Sequence, residues 1–247
     1  MWDSPRELNA FAMVLTVLAA LSLGYGVTSW VARRPSFEIR EIVIVTPLAH
    51  TNAAELEAVI RDQFRGTFFT MNLDRARLAL VRVPWVRSAS LRRQWPHRLE
   101  VAIEEHVPLA RWNDSALVNV QGEVFSAAAR DALPHFIGPD SSAAEVTRRF
   151  QEWSPTVAAL GLALDEVHLS DRGSWHLRVA GTAGPLDVEL GREDPSAAVG
   201  RFADVYRRTV AVLARSGTRV EQVDLRYRNG FSARVPAFRE RPQKKAA

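Results

Sequence analysis

The chain has 247 residues and no cysteine, which excludes a disulfide framework and a cysteine-based zinc site and leaves the redox compartment undecided. Its formal net charge is +4, and 30 of its 32 basic residues are arginine. These arginines are scattered in pairs among Asp and Glu, so a solvated surface of mixed charge accounts for them better than a nucleic-acid-binding face.

From Leu8 to Ala32 no charged residue occurs. About 25 residues at 1.5 Å rise give a helix of roughly 37 Å, against a hydrocarbon layer of roughly 30 Å, so a slightly tilted helix crosses once. Trp2 near one end, and Tyr25 and Trp30 near the other, stand where amphipathic rings prefer the membrane interface. A cleaved signal peptide would want a basic leader and a shorter apolar run, whereas MWDSPRE carries Asp3 and Glu7 against Arg6. Residues 1–7 are therefore a short tail and 8–32 an uncleaved anchor. By flanking charge, Arg33 and Arg34 outnumber Arg6 and weakly favour a cytoplasmic location for the rest of the chain. The roughly 215 residues that follow suffice for two modest domains.

The first soluble unit spans residues 37–105. FEIREIVIVTP reads as a largely buried strand ended by Pro47. Asn52 stands three residues before Glu55, in the spacing of a capping box, and Leu56, Val59, Ile60 and Phe64 then recur at helical steps. A turn containing Gly66, Phe68 and Phe69 leads into a second helix with Leu73, Ala76 and Leu80 on one face, ended by Pro84. VRSASLRRQ and RLEVAIEE are strands joined by Gln94-Trp95-Pro96-His97. Trp85 and Trp95 are expected to fill the core or seal the hairpin, given how much area a Trp buries. The order β-α-α-β-β is that of an α+β domain with helices on one face of a small sheet.

These residues carry a resemblance. The run GTFFTMNLDRARLALVRVPWVRSASLRRQWPHRLEVAIEEHVPLARW is similar to the POTRA domain, and its exit, of the bacterial FtsQ/DivIB cell-division family. The ordered pattern of PWV, QWP and ARW is far more specific than a short motif.

The second unit spans residues 106–236. LARWNDSALVNVQGEVFS reads as consecutive short strands, and HFIGPD adds another. A helix follows with Val146, Phe150, Trp153 and Val157 in step, and Ser154-Pro155 is expected to interrupt and restart it. LALDEVHLS, SWHLRVAG and PLDVELG are strands. Asp194-Pro195 opens a strong helix with Val199, Phe202, Tyr206, Val210 and Leu213 on its core face. RVEQVDLRY and FSARVP close the fold, which is a mixed β-sheet domain with packed helices. Residues 237–247 are basic, without an apolar pattern, and are expected to be disordered. The same resemblance continues through ARWNDSALVNVQGEVFS, LPHFIGP, RGSWHL, LGRED and VDLRYRNG, in order. The short N-terminal tail, Pro155 and Arg228-Asn229 depart from the family pattern.

No motif for catalysis emerges. The six histidines form no H-x-x-x-H pair, although His168 and His176 could face each other across adjacent strands. No G-x-S-x-G elbow or phosphate loop occurs, and Glu104-Glu105-His106 reads as the solvated end of a strand rather than an acid/base cluster. No catalytic, metal or cofactor residue is assigned. The resemblance implies a non-enzymatic scaffold in the bacterial inner membrane, N-terminus cytoplasmic and bulk periplasmic, against the flanking charge. The resemblance further implies that such a scaffold joins division proteins to FtsB and FtsL and helps control septal peptidoglycan synthesis, with one helix in the bilayer and no nucleic-acid or small-molecule partner. Two alternatives stand beside it. A POTRA-bearing secretion or outer-membrane assembly component would need a barrel or partner-secretion domain, and a wall hydrolase would need site chemistry.

Asn229-Gly230 is a strong turn signal between the last two strands. A three-residue loop, Arg228 to Gly230, pairs Tyr227 with Phe231, Leu225 with Ala233 and Val223 with Val235, and puts all six on one face. The resulting last strand has no later strand to cover it and is open to strand addition. The resemblance implies that FtsB contacts this strand and the residues before it. The candidate partner-binding set is Arg226, Tyr227, Asn229, Gly230, Phe231, Ser232, Ala233 and Arg234, with Arg226 offering an outward charge to a partner carboxylate.

Overall fold

The computed structural model describes residues 5–128, 132–182, 184–227 and 230–236, so the expected tail at 237–247 lies outside the described residues. The chain divides into two compact units, Met1–His106 and Val107–Ala247. Helix α1 runs from Pro5 to Ala32, three residues longer at its start than the apolar run. Within it Asn9–Ala32 has a mean hydropathy of 2.0 and none of that window is buried, so its length and composition suit a membrane span.

In the first unit, α2 (Ala53–Gln63) and α3 (Leu73–Leu80) pack on one face of a three-stranded sheet. Asn52 caps α2 by accepting from the Ala54 amide, and Asn72 caps α3 by accepting from the Arg75 amide. The strands are β1 (Glu41–Ile44), β2 (Val86–Gln94) and β3 (Arg98–Glu105), ordered β1-β3-β2. β1 is parallel to β3, with Glu41 opposite Arg98, while β2 and β3 form an antiparallel hairpin. Alternation along β3 buries Leu99, Val101 and Ile103 against Leu56 of α2 and Leu80 of α3. The two tryptophans do not behave alike. Trp85 is half-buried and stacks on His50 at 4.5 Å, whereas Trp95, expected to fill core or seal the hairpin, is 75% exposed. It sits in the turn beyond the last ladder pair, Gln94 with Arg98.

Glu105 also departs from the expected solvated strand end. Its carboxylate accepts the backbone amides of Ala49, His50 and Thr51 at 2.8–3.3 Å and lies 3.5 Å from His50 Nδ1. The segment leading into α2 is thus folded around it. Burial works against ionisation, but Thr51, through its side chain and amide, and the Ala49 and His50 amides outweigh it, lowering the pKa from 4.5 to about 2. Glu104 does alternate outward, pairing with Arg87 at 2.6 Å.

The second unit is a nine-stranded sheet. Its strands are β4 (Pro108–Trp112), β5 (Ala116–Asn119), β6 (Val124–Phe125), β7 (His135–Ile137), β8 (Ala163–Leu169), β9 (Trp175–Gly181), β10 (Gly184–Gly191), β11 (Gln222–Asp224) and β12 (Ser232–Arg234). They are ordered β12-β11-β10-β9-β8-β7-β4-β5-β6. The sheet is mixed, with parallel pairs β4–β7, β7–β8 and β10–β11. Helices α4 (Ala143–Ala158) and α5 (Pro195–Val205) contribute Val146, Trp153, Val157, Val199 and Phe202 to the core of this unit. α5 continues through a π-turn, Tyr206–Val210, into α6 (Ala211–Arg215), so Val210 stays buried despite the added residue. Helix α4 runs through Pro155 without restarting. Pro155 has no N–H to give the Gln151 carbonyl, so one bond near the end of the helix is lost, but Trp153 and Val157 on either side are buried and hold the last turn in place.

Candidate functional site at the terminal sheet edge

Among the described residues, strand β12 ends the sheet order and pairs with β11 alone. Residues Ser232, Ala233 and Arg234 are all exposed, so a whole strand edge faces away from the fold. β11 is secured on its other side by parallel pairing with β10, Val223 opposite Val188. Val223 and Leu225 are buried and anchor the hairpin to the core.

The register differs from the expected one by two residues. Val223 pairs with Ala233 and Asp224 with Ser232, so the ladder closes before Leu225 and the connection is longer than three residues. The cause is local side-chain chemistry. The Asp224 carboxylate accepts the Arg226 amide at 3.0 Å, and this turn-like bond takes the chain out of strand geometry at Asp224. Leu225 still donates to the Glu189 carbonyl of β10 at 2.8 Å. A shift of two preserves which residues share a face, so Val223 and Ala233 remain together. Tyr227 leaves that face and is 63% exposed, and Phe231 is 41% exposed. Gly230 is exposed, whereas Arg228 and Asn229 lie outside the described residues, so the candidate Asn229 has no structural account.

Arg226 is exposed but not an unspoken-for charge. Asp224 grips it through Nε at 2.9 and 3.0 Å and Nη2 at 2.6 Å, leaving Nη1 out of the fork. The bond to Arg226 lowers the Asp224 pKa, against the opposing effect of burial, and the same bond raises that of Arg226. Beside this pair opens a cleft of about 620 Å³ lined by Gly191, Arg192, Glu193, Asp194, Arg201 and Arg226. Gly191, at φ +81°, lets Arg226 lie close, since a Cβ there would stand 3.2 Å from Arg226 Cγ. Reasoning from sequence missed Asp224, Gly191, Arg192 and Arg201. Only the Asp-x-Arg spacing of 224 and 226 carried a local signal. What the edge offers is unpaired backbone and two aromatic rings, with a cleft of mixed charge beside them.

Elsewhere, His168 and His176 do stand opposite each other on β8 and β9, with ring centroids 6.4 Å apart. His176 lies 3.2 Å from Glu189. Among the described residues, no group of three or more His, Asp or Glu is placed to hold a metal ion.

Two family models match the chain. The FtsQ-type POTRA domain matches residues 37–106, and the C-terminal domain of cell division protein FtsQ/DivIB matches residues 110–226. Among relatives, a cell division protein FtsQ of Burkholderia pseudomallei is 40% identical over 246 residues, covering 97% of this chain and 96% of its own. The chain belongs to the FtsQ family. An FtsQ of Nitrosospira multiformis is 37% identical, over 95% of this chain and 99% of its own, and one of Bordetella pertussis 35%, over 94% and 92%. The first unit is accordingly a POTRA domain, and the role of this FtsQ chain lies in cell division. Its N-terminal apolar helix is consistent with a single-pass membrane protein.

Proposed function

We propose that this FtsQ chain is a non-enzymatic scaffold of the division machinery, anchored in the inner membrane at the septum. It links division membrane proteins to FtsB and FtsL and thereby helps control septal peptidoglycan synthesis. The observation that carries this reading is the open β12 edge with Tyr227 and Phe231 exposed beside it. An extended segment of FtsB adds there as a further strand, using main-chain hydrogen bonds for affinity and the aromatic rings for selectivity. The cleft beside Arg226 carries Arg192 and Arg201 together with Glu193 and Asp194, so a polar residue at one end of that segment meets charge of both signs there. Because Asp224 already holds Arg226, a partner carboxylate would complete a charge network rather than meet an isolated cation.

The chain has no native cysteine, so single Cys substitutions at Ser232 and Arg234 give a clean background for crosslinking in cells. At least one is expected to link to a Cys-scanned FtsB segment. If neither links to any position while the domain stays folded, the edge-strand reading is wrong.

Orientation follows the same reading, with α1 crossing from the cytoplasm and both folded units periplasmic. A periplasm-active reporter fused after Ala247 is expected to be active. Activity only from a reporter that needs the cytoplasm would reverse the topology.

A further inference from the structure

Two of the largest exposed side chains outside α1 and the terminal edge, Phe69 at 54% and Trp95 at 75%, belong to the same end of the first unit. Hydrogen bonds fix Phe69 there. The Thr67 hydroxyl donates to the Ala32 carbonyl, the last residue of α1, at 2.6 Å. The Phe68 amide donates to the Phe37 carbonyl at 2.7 Å, and the Phe37 and Phe69 rings meet edge to face at 5.1 Å. The loop carrying Phe69 is thus tied to the point where the chain leaves α1. Strand register places Trp95 at that end too. β1 and β3 run parallel away from α1, and the Arg40 amide donates to the His97 carbonyl at 2.9 Å, so the β2–β3 turn projects back past the start of β1.

The helix marks where the interface lies. Trp30 is 60% exposed, and the Arg34 guanidinium sits 3.5 Å from its ring centroid, an aromatic and cationic pair suited to the headgroup layer. Ala32 falls between them, and Thr67 is bonded to it. Across residues 33–40 three arginines, Arg33, Arg34 and Arg40, face one acid, Glu38. Exposed apolar side chains scattered singly need no explanation. Two aromatics at the helix exit, beside an excess of positive charge, call for an amphipathic anionic surface.

We propose that the anchor-proximal end of the POTRA domain is itself seated in the lipid headgroup layer, with Phe69 and Trp95 as its interfacial contacts. The domain is then held at the bilayer by α1 and by a second contact, which restrains its tilt. This rests on α1 spanning the membrane, and the experiment separates the two claims.

The full chain is reconstituted in phosphatidylethanolamine–phosphatidylglycerol vesicles, with and without bromine on the shallow acyl carbons. The emission of Trp95 is isolated as the difference between the parent and W95F, and that of Trp30 as the difference between the parent and W30F. Both substitutions are at exposed positions and are expected to leave the fold intact. The proposal expects Trp95 to be quenched by brominated lipid, as Trp30 is, and shielded from aqueous iodide. If Trp30 is quenched while Trp95 is quenched only by iodide, α1 spans the membrane but the seat does not exist. If neither is quenched by bromine, the membrane-spanning reading fails first and the seat fails with it.

Discussion

Replacing Tyr227 with alanine is expected to weaken the binding of FtsB by about 2 kcal/mol or more, roughly thirtyfold in Kd. Aromatic side chains that are exposed in the free protein and flank an open strand edge are where binding energy concentrates, because they bury large area with little rotamer entropy to lose. Tyr227 is 63% exposed and outside the β11–β12 ladder, so the same change is expected to leave thermal stability nearly unchanged. That separation makes Tyr227 a cleaner probe than Arg226. Removing Arg226 strips Asp224, whose side chain is 11% exposed, of its cationic partner, and weaker binding could then come from a disordered hairpin. Titration calorimetry of an FtsB periplasmic fragment against parent and Y227A measures the effect. Equal affinities would remove Tyr227 from the site, and with it most of the case for the aromatic flank.

Glu105→Gln in the POTRA domain is expected to cost up to about 3 kcal/mol at neutral pH, since a native pKa of about 2 against an ordinary 4.5 corresponds to about 1.4 kcal/mol per unit. The folded-state pKa lies below the unfolded one, so the stabilisation is fully present above about pH 5. It is lost as pH falls from there towards 2. The glutamine keeps an acceptor but not the charge, and its amide nitrogen competes with the three backbone donors that the carboxylate gathers. With two units in the chain, a single melting temperature would blur the result. Amide hydrogen exchange resolves it. Protection of β2 and β3 is expected to fall by up to roughly a hundredfold at pH 7, while β8 to β10 stay as they were. In E105Q the acid-dependent part of that protection disappears. Unchanged protection of β2 and β3, or an equal loss in both units, would show that the carboxylate does not hold the domain.

The elements themselves were legible because they follow from local pattern. Helical spacing of Leu56, Val59 and Ile60, alternation of Leu99, Val101 and Ile103, and Asn and Asp caps at 52 and 194 each act over a few residues. The apolar run of α1 is likewise a property of composition and length. The long ordered motifs carried the family as well.

What escaped were choices made between distant parts of the chain. Trp95 was expected to fill the core or seal the hairpin because its type usually buries, yet in the β2–β3 turn it stays exposed, and only the assembled sheet decides that. Glu105 looked like a strand end, and its three amide partners come from more than 50 residues earlier, brought near by the β1–β3 pairing. Pro155 suggested a break, but burial of Trp153 and Val157 keeps α4 in one piece. In the last hairpin, turn signal and apolar face correctly set which residues share a side, since that depends on parity alone. The register within that parity was settled by the Asp224–Arg226 fork and the hold of Glu189 on Leu225, which together end β11 two residues early. A sequence thus determines which residues prefer strand, helix or bilayer. Which strand is left at the edge, and which polar group must be folded around, depends on free-energy differences that exist only once the distant partners have met.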